Sequence, residues 1–303
     1  MKLIALKTSD GRNTGKLSFY CRALKVTRQG FYKYLRNRDK PWKYEGVAEM
    51  IRKLLASDEF NTSYGRNRIY KALLLYAPPD MEIPSERTVY RIMQRMGLIR
   101  KRRKPVGITR EDRNAQKSDD LLKRDFSADK PFDKCVTDIT EVKGSDGKLY
   151  VSVIFDCFDN EAIGLALRTN MKAGLCVETL ESAYRAHPEL RGAIIHSDRG
   201  SQYTSRAYRY WINHYGIRQS MNSAGGRCHD NAKCESMWAR MKTELFYDRG
   251  LKSEYFTIAE LRVMIWRYFM IYWNKRRICS ANDDGLPPEV KRMRYYSSHG
   301  LAA

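Results

Sequence analysis

At 303 residues the chain is long enough for two or three small domains with a sizeable core. Its 56 Lys and Arg against 35 Asp and Glu leave a net charge of +21, which points to a polyanionic partner, most economically nucleic acid. Seven cysteines without a CxxC pair exclude a disulfide scaffold or zinc finger, and no apolar run approaches membrane-spanning length.

The opening residues 1–7 are too short and too soon charged to be a signal peptide, so a cytoplasmic, chromosome-associated protein with no membrane partner is expected. Charge is unevenly spread. Residues 1–130 carry 31 Lys and Arg against 15 Asp and Glu, while the remainder carries 25 against 20. The amino-terminal part would therefore grip double-stranded DNA by counterion release, and the later part would gather acidic ligands.

Within residues 1–40, Leu17, Tyr20, Cys21 and Leu24 pattern an amphipathic helix. A polar turn at Lys25 to Thr27 starts a second helix that presents Arg28, Gln29 and Lys33 while Phe31, Tyr32 and Leu35 pack inward. This is either a small helix-turn-helix or a plain helical hairpin with a solvated basic face. Residues 41–104 read as a second helix-turn-helix-like module. Val47, Met50, Ile51 and Leu54 mark its first helix, and Ser85 caps a later one that carries Arg87 and Arg91 as DNA contacts or as ordinary helix charges. The densest basic run, Arg100, Lys101, Arg102, Arg103 and Lys104, is expected to cross the DNA backbone without reading sequence. Residues 105–130 read as a polar linker.

Residues 131–250 read as three consecutive strands followed by alternating helix and strand, the order of an α/β RNase H-like core with a mixed sheet flanked by helices. Asp138 falls near the middle of the first strand, where a carboxylate is costly unless it is paired or holds a metal. Asp198 follows the apolar strand Ala193 to Ile195, at the carboxyl end where open α/β sheets place ligand-binding groups. Glu235 lies in the first turns of a helix to about Tyr247, with Cys234, Met237, Trp238, Met241 and Leu245 facing the core and Lys242 two turns along from it. Two strand aspartates, a helical glutamate and a nearby lysine are what two divalent cations, Mg2+ or Mn2+, need for phosphodiester chemistry. His196 is expected to be a packed strand histidine. Asp156, Asp159, Glu178, Glu181, Asp230 and Glu244 are read as surface or cap residues. Cys228, His229 and Cys234 fit no usual zinc spacing. Residues 251–303 form an apolar helix over Ile258 to Asn274 and a tail expected to fray from Arg292.

The phrases Val136-Thr137-Asp138-Ile139-Thr140, His196 to Ser205, and Asp230-Asn231-Ala232 followed by Glu235 resemble the OrfB-type transposases of insertion-sequence family three, bacterial relatives of retroviral integrases. That resemblance implies an RNase H-like DDE catalytic core with Asp138, Asp198 and Glu235 as catalytic and metal-binding residues. It also implies metal-dependent cleavage at transposon ends followed by strand transfer, and action as a homo-oligomer on terminal repeats and target DNA. An upstream OrfA product, separate or fused by frameshifting, is a further implied partner, and Lys242 sits where the family has a basic residue. Two departures stand out: one extra residue between Asp198 and Glu235, near Gly225-Gly226, and Cys279 in place of the histidine in an Asn-x-x-Arg-x-His-Ser pattern. A catalytically inactive DNA-binding remnant or regulator is the alternative. An RNase H-type nuclease shares the metal chemistry but leaves the basic helices in front unexplained.

Overall fold

The computed structural model describes residues 1–40, 42–99, 121–122, 125–222 and 232–300. The basic run Arg100 to Lys104, most of the expected linker, Gly225-Gly226, Cys228, His229 and Asp230 lie outside the described residues. The chain divides into two units, Met1–Glu49 and Met50–Ala303.

In the first unit, α1 (Lys2–Lys7), α2 (Thr14–Ala23) and α3 (Arg28–Arg38) close around Ile4, Ala5, Leu17, Cys21 and Phe31. Thr27 starts α3 in extended backbone, and its hydroxyl accepts the Gly30 amide at 3.0 Å. The first helix is an addition to the expected pair. Tyr32 is a correction: it is exposed, while Tyr34 and Leu35 pack on the core. Phe31, Tyr34 and Leu35 fall three and four residues apart on one helical stripe, and Tyr32 lies a quarter-turn away from it. Arg28, Gln29 and Lys33 are exposed.

The second unit begins within α4 (Glu45–Ala56) and continues through α5 (Arg66–Tyr76) and α6 (Glu86–Arg95). Ile51, Phe60, Ile69, Leu73, Val89 and Ile92 are buried, whereas Arg87 and Arg91 are exposed. Ser85 precedes α6 as expected, but its hydroxyl pairs with that of Thr88 at 3.2 Å and caps no backbone amide.

Five strands follow: β1 (Lys134–Lys143), β2 (Lys148–Asp156), β3 (Ala162–Arg168), β4 (Ile194–Ser197) and β5 (Arg218–Met221). Their order is β3-β2-β1-β4-β5, with β1, β2 and β3 an antiparallel meander and β4 and β5 parallel to β1. This is the RNase H-like mixed sheet. Parallel pairing needs crossovers, which α7 (Ala173–Ala186) and then α8 (Ser201–Thr204) with α9 (Arg206–His214) provide. Gly164 on β3 lets α7 approach closely, since a Cβ there would lie 2.6 Å from the Thr179 carbonyl oxygen. Cys135, Ile154, Ile163, Leu180, Ile195 and Ile212 fill this side of the sheet.

On the opposite face, Phe155 meets Trp238 of α10 (Ala232–Leu245), and also Phe269 and Trp273, at ring-centroid distances of 5.7 to 6.1 Å. Thr257 and Glu260 form a capping box that opens α11 (Ile258–Arg267), which runs into a π-helical segment, Tyr268–Arg276. The tail does not fray at Arg292. It forms α12 (Pro288–Ser298), and the buried Arg292 guanidinium donates to Asp156 and Asp159 at 2.8 Å. Asp156, Asp159 and Glu244 are therefore buried ion-pair partners, against the surface reading. Their arginines come from distant sequence, so local pattern held no sign of the pairing. Among the described residues, no helix is long and apolar enough to cross a membrane.

Candidate active site

Register brings the two aspartates together. The parallel pairing of β1 with β4 matches Lys134 to Ile194, Cys135 to Ile195 and Val136 to His196. Asp138 lies two residues beyond Val136 on β1, and Asp198 two residues beyond His196, one residue past the end of β4. Asp198 turns at the strand end, where its Oδ1 accepts the Gly200 amide at 2.9 Å. Asp138 Oδ2 accepts the indole Nε1–H of Trp238 at 3.1 Å. Sequence reasoning had placed Trp238 in the core only, although a buried indole N–H requires an acceptor.

Burial, then the charge of Asp198, with Glu235 adding to both, pushes the Asp138 carboxyl up to about 7. The Ile139 amide and Trp238 oppose that rise. Burial also raises Asp198, against the Gly200 amide and His196. Glu235 sits in the first turn of α10 with its side chain exposed, and its charge is felt at Asp138. The other face of α10 behaves as expected, with Cys234, Met237, Trp238, Met241 and Leu245 all buried. Lys242 is half-buried on the same helix, and burial lowers its pKa against the opposing charge of Glu141.

His196 is a packed strand residue, with Nδ1 2.9 Å from Ser220 Oγ and Nε2 2.8 Å from Asn222 Oδ1. Cys279 is buried in the C-terminal segment, where Asn160 Nδ2 lies 3.7 Å from its sulfur, so the departure from histidine falls in packing contacts. Asn274 in the same pattern pins the start of β3: its Oδ1 accepts from the Ala162 amide and its Nδ2 donates to the Ala162 carbonyl, both at 3.0 Å.

Among the described residues, no three His, Cys, Asp or Glu side chains converge closely enough to hold a metal ion together. The donor chemistry nevertheless fits a hard divalent cation: Asp138, Asp198 and Glu235 are all carboxylates, and the charges of Asp198 and Glu235 both raise the Asp138 carboxyl.

Residues 128–226, which contain Asp138 and Asp198 and end before Glu235, match the integrase core domain family. The chain is similar to the putative transposase InsK for insertion sequence element IS150 of Escherichia coli K12, at 32% identity over 91% of this chain and 93% of that protein. It is also similar to the transposase InsF for insertion sequence IS3A of the same organism, at 30% identity over 89% of this chain and 91% of that protein. The solved HTLV-2 integrase catalytic core domain in complex with magnesium aligns with a TM-score of 0.38 and 15% identity, over 54% of this chain and 97% of that one. The sheet order and the integrase-core match define the class, a polynucleotidyl transferase built on an RNase H-like core. Similarity to InsK and InsF across about nine-tenths of each chain makes the assignment specific: the chain belongs to insertion-sequence family three, as an OrfB-type transposase.

Proposed function

We propose that Asp138, Asp198 and Glu235 are the catalytic carboxylates of this transposase and together hold two Mg2+ or Mn2+ ions. The observation that carries this reading is that Asp138 on β1 and Asp198 just past the end of β4 come close enough for the charge of Asp198 to raise the Asp138 carboxyl, a repulsion that a cation would relieve. When bound, such ions activate the attacking oxygen and stabilise the leaving one. Trp238 fixes the Asp138 carboxyl by its N–H bond, and the Gly200 amide fixes that of Asp198, so both present set oxygens to the site. Hydrolysis adds water across one P–O bond at the transposon end and frees a 3′ hydroxyl. That hydroxyl then attacks a phosphodiester of the target, forming a new P–O bond as the target's own P–O3′ bond breaks. Positioning and electrostatics supply most of the rate enhancement.

Double-stranded DNA is the partner. Exposed Arg28, Gln29 and Lys33 on α3, and Arg87 and Arg91 on α6, support DNA contact by these helices. Arg100, Lys101, Arg102, Arg103 and Lys104 add sequence-independent affinity, and Lys242 holds a transposon-end phosphate. Pairing of two ends requires a homo-oligomer, with an OrfA product or fusion supplying further end recognition. The protein acts at the chromosome, in the cytoplasm.

Metal binding tests the carboxylate assignment directly. Mn2+ at about a hundred times its dissociation constant is expected to stabilise the wild type against thermal unfolding by about 2.7 kcal/mol. Asp198→Asn is expected to lose most of that gain. A wild type that Mn2+ leaves unchanged, or a variant that responds equally, would overturn the assignment.

A further inference from the structure

Helix α10 also borders a cavity of about 330 Å3, lined by Arg68 and Arg240 and by the hydroxyls of Ser63, Ser236 and Thr243. Glu244 lies at its wall but has no acceptor capacity to spare. Its Oε1 accepts from Arg68 Nη1 and Arg277 Nη2, both at 2.7 Å. Its Oε2 accepts from Arg277 Nε at 2.9 Å and the Tyr268 hydroxyl at 2.8 Å. Four bonds fill a carboxylate. Arg240, half-buried in the same cavity, makes no hydrogen bond or ion pair among the described residues. Glu244 is thus filled by two guanidinium groups and a hydroxyl, and the guanidinium of Arg240 finds no acceptor left on it.

Burial, then the charges of Arg277 and Arg68, disfavour the Arg240 cation, as its lowered pKa records. An anion relieves all three costs, because a guanidinium gains most from a planar pair of acceptor oxygens such as a phosphate offers. No aromatic ring lines the cavity to stack a base. Ser236 directly follows Glu235, so the cavity flanks the carboxylate face along one helix.

We propose that this cavity is a phosphate subsite, in which Arg240 with the hydroxyls of Ser236 and Thr243 holds a backbone phosphodiester of the DNA on which the enzyme acts. The proposal rests on the transposase assignment. It makes Arg240 a positioning residue that recognises DNA independently of sequence.

The test uses the full-length protein and two labelled duplexes, one the element's end and one scrambled, over a KCl series. Arg240→Gln is expected to weaken binding to both duplexes by about threefold to tenfold and to reduce the slope of log affinity against log salt by about 0.9, the value of one phosphate contact. Arg240→Lys restores the slope. Thr243→Glu, which keeps every arginine and places a negative charge in the cavity, reproduces the loss if the site holds a phosphate. Unchanged slopes in both variants, with thermal unfolding as in the wild type, would overturn the proposal. So would stabilisation by inorganic phosphate that depends on Arg240 while the DNA slope does not, since that would make the cavity a free-anion site. Metal-dependent nicking by the wild type reads the transposase assignment separately.

Discussion

Arg277→Ala is expected to destabilise the second unit by about 3–5 kcal/mol, the usual cost of leaving a buried charge without its partner. Glu244 is 2% exposed and Arg277 1%, and the pair is bidentate, with the guanidinium also 4.3 Å from the centre of the Trp273 ring. Arg68 alone cannot replace that fork. Burial opposes ionisation of Glu244, but the charges of Arg277 and Arg68 outweigh it and hold the carboxyl at about 2. A folded pKa below the unfolded value contributes stability that is present above about 4.5 and lost as pH falls through about 2. Denaturant unfolding of wild type, Arg277→Ala and the double variant Arg277→Ala with Glu244→Leu checks this. The double variant should recover part of the loss, because it removes the buried Glu244 charge and leaves only the part-buried Arg68 without its carboxylate. A loss under about 1 kcal/mol in the single variant would place the pair among weak surface bridges.

Asp138→Asn is expected to move stability and activity in opposite directions. The Asp138 carboxyl, raised from 3.8 to about 7, is protonated more readily folded than unfolded. Its contribution to stability is therefore complete below about 4 and is lost as pH rises towards 7. Asparagine carries no charge and keeps an oxygen for the Trp238 N–H. Without metal at pH 8, the variant should be the more stable protein, by at most about 4 kcal/mol for a displacement of that size. The advantage should vanish near pH 4. End cleavage should fall by at least about a thousandfold, since groups that merely orient metal ligands already cost about 10–100-fold. Equal stability of the two proteins at pH 8 would mean that Asp138 carries no electrostatic strain.

Most of the core was legible in the sequence because its signals are local. The three consecutive strands and the alternation of helix and strand after them are as expected. Asp146-Gly147 turns the β1–β2 hairpin with Gly147 at φ +151°, a conformation that glycine tolerates. Asp138, Asp198 and Glu235 were singled out as the proposed site by their strand and helix settings and by the motifs that resemble the family. What escaped was long-range. Glu244, Asp156 and Asp159 looked like surface acids until Arg277 and Arg292 arrived from more than thirty residues away. Arg292 also explains why the expected frayed tail is a helix. The indole bond from Trp238 to Asp138 spans a hundred residues, and no periodicity encodes it. Tyr32 was misplaced for a smaller reason: in an aromatic-rich helix, one step of 100° separates the core stripe from solvent.

The most direct measurement of the central claim is strand cleavage of a labelled duplex carrying the element's own end, with Mg2+ or Mn2+ and without either. Wild type and Glu235→Gln are compared, with the upstream partner added in parallel. Nicking at the end that requires metal and is lost in the variant is the predicted result. Tight binding with no nicking by the wild type under every condition, partner included, would contradict the carboxylate assignment and make this chain a DNA-binding remnant of its family.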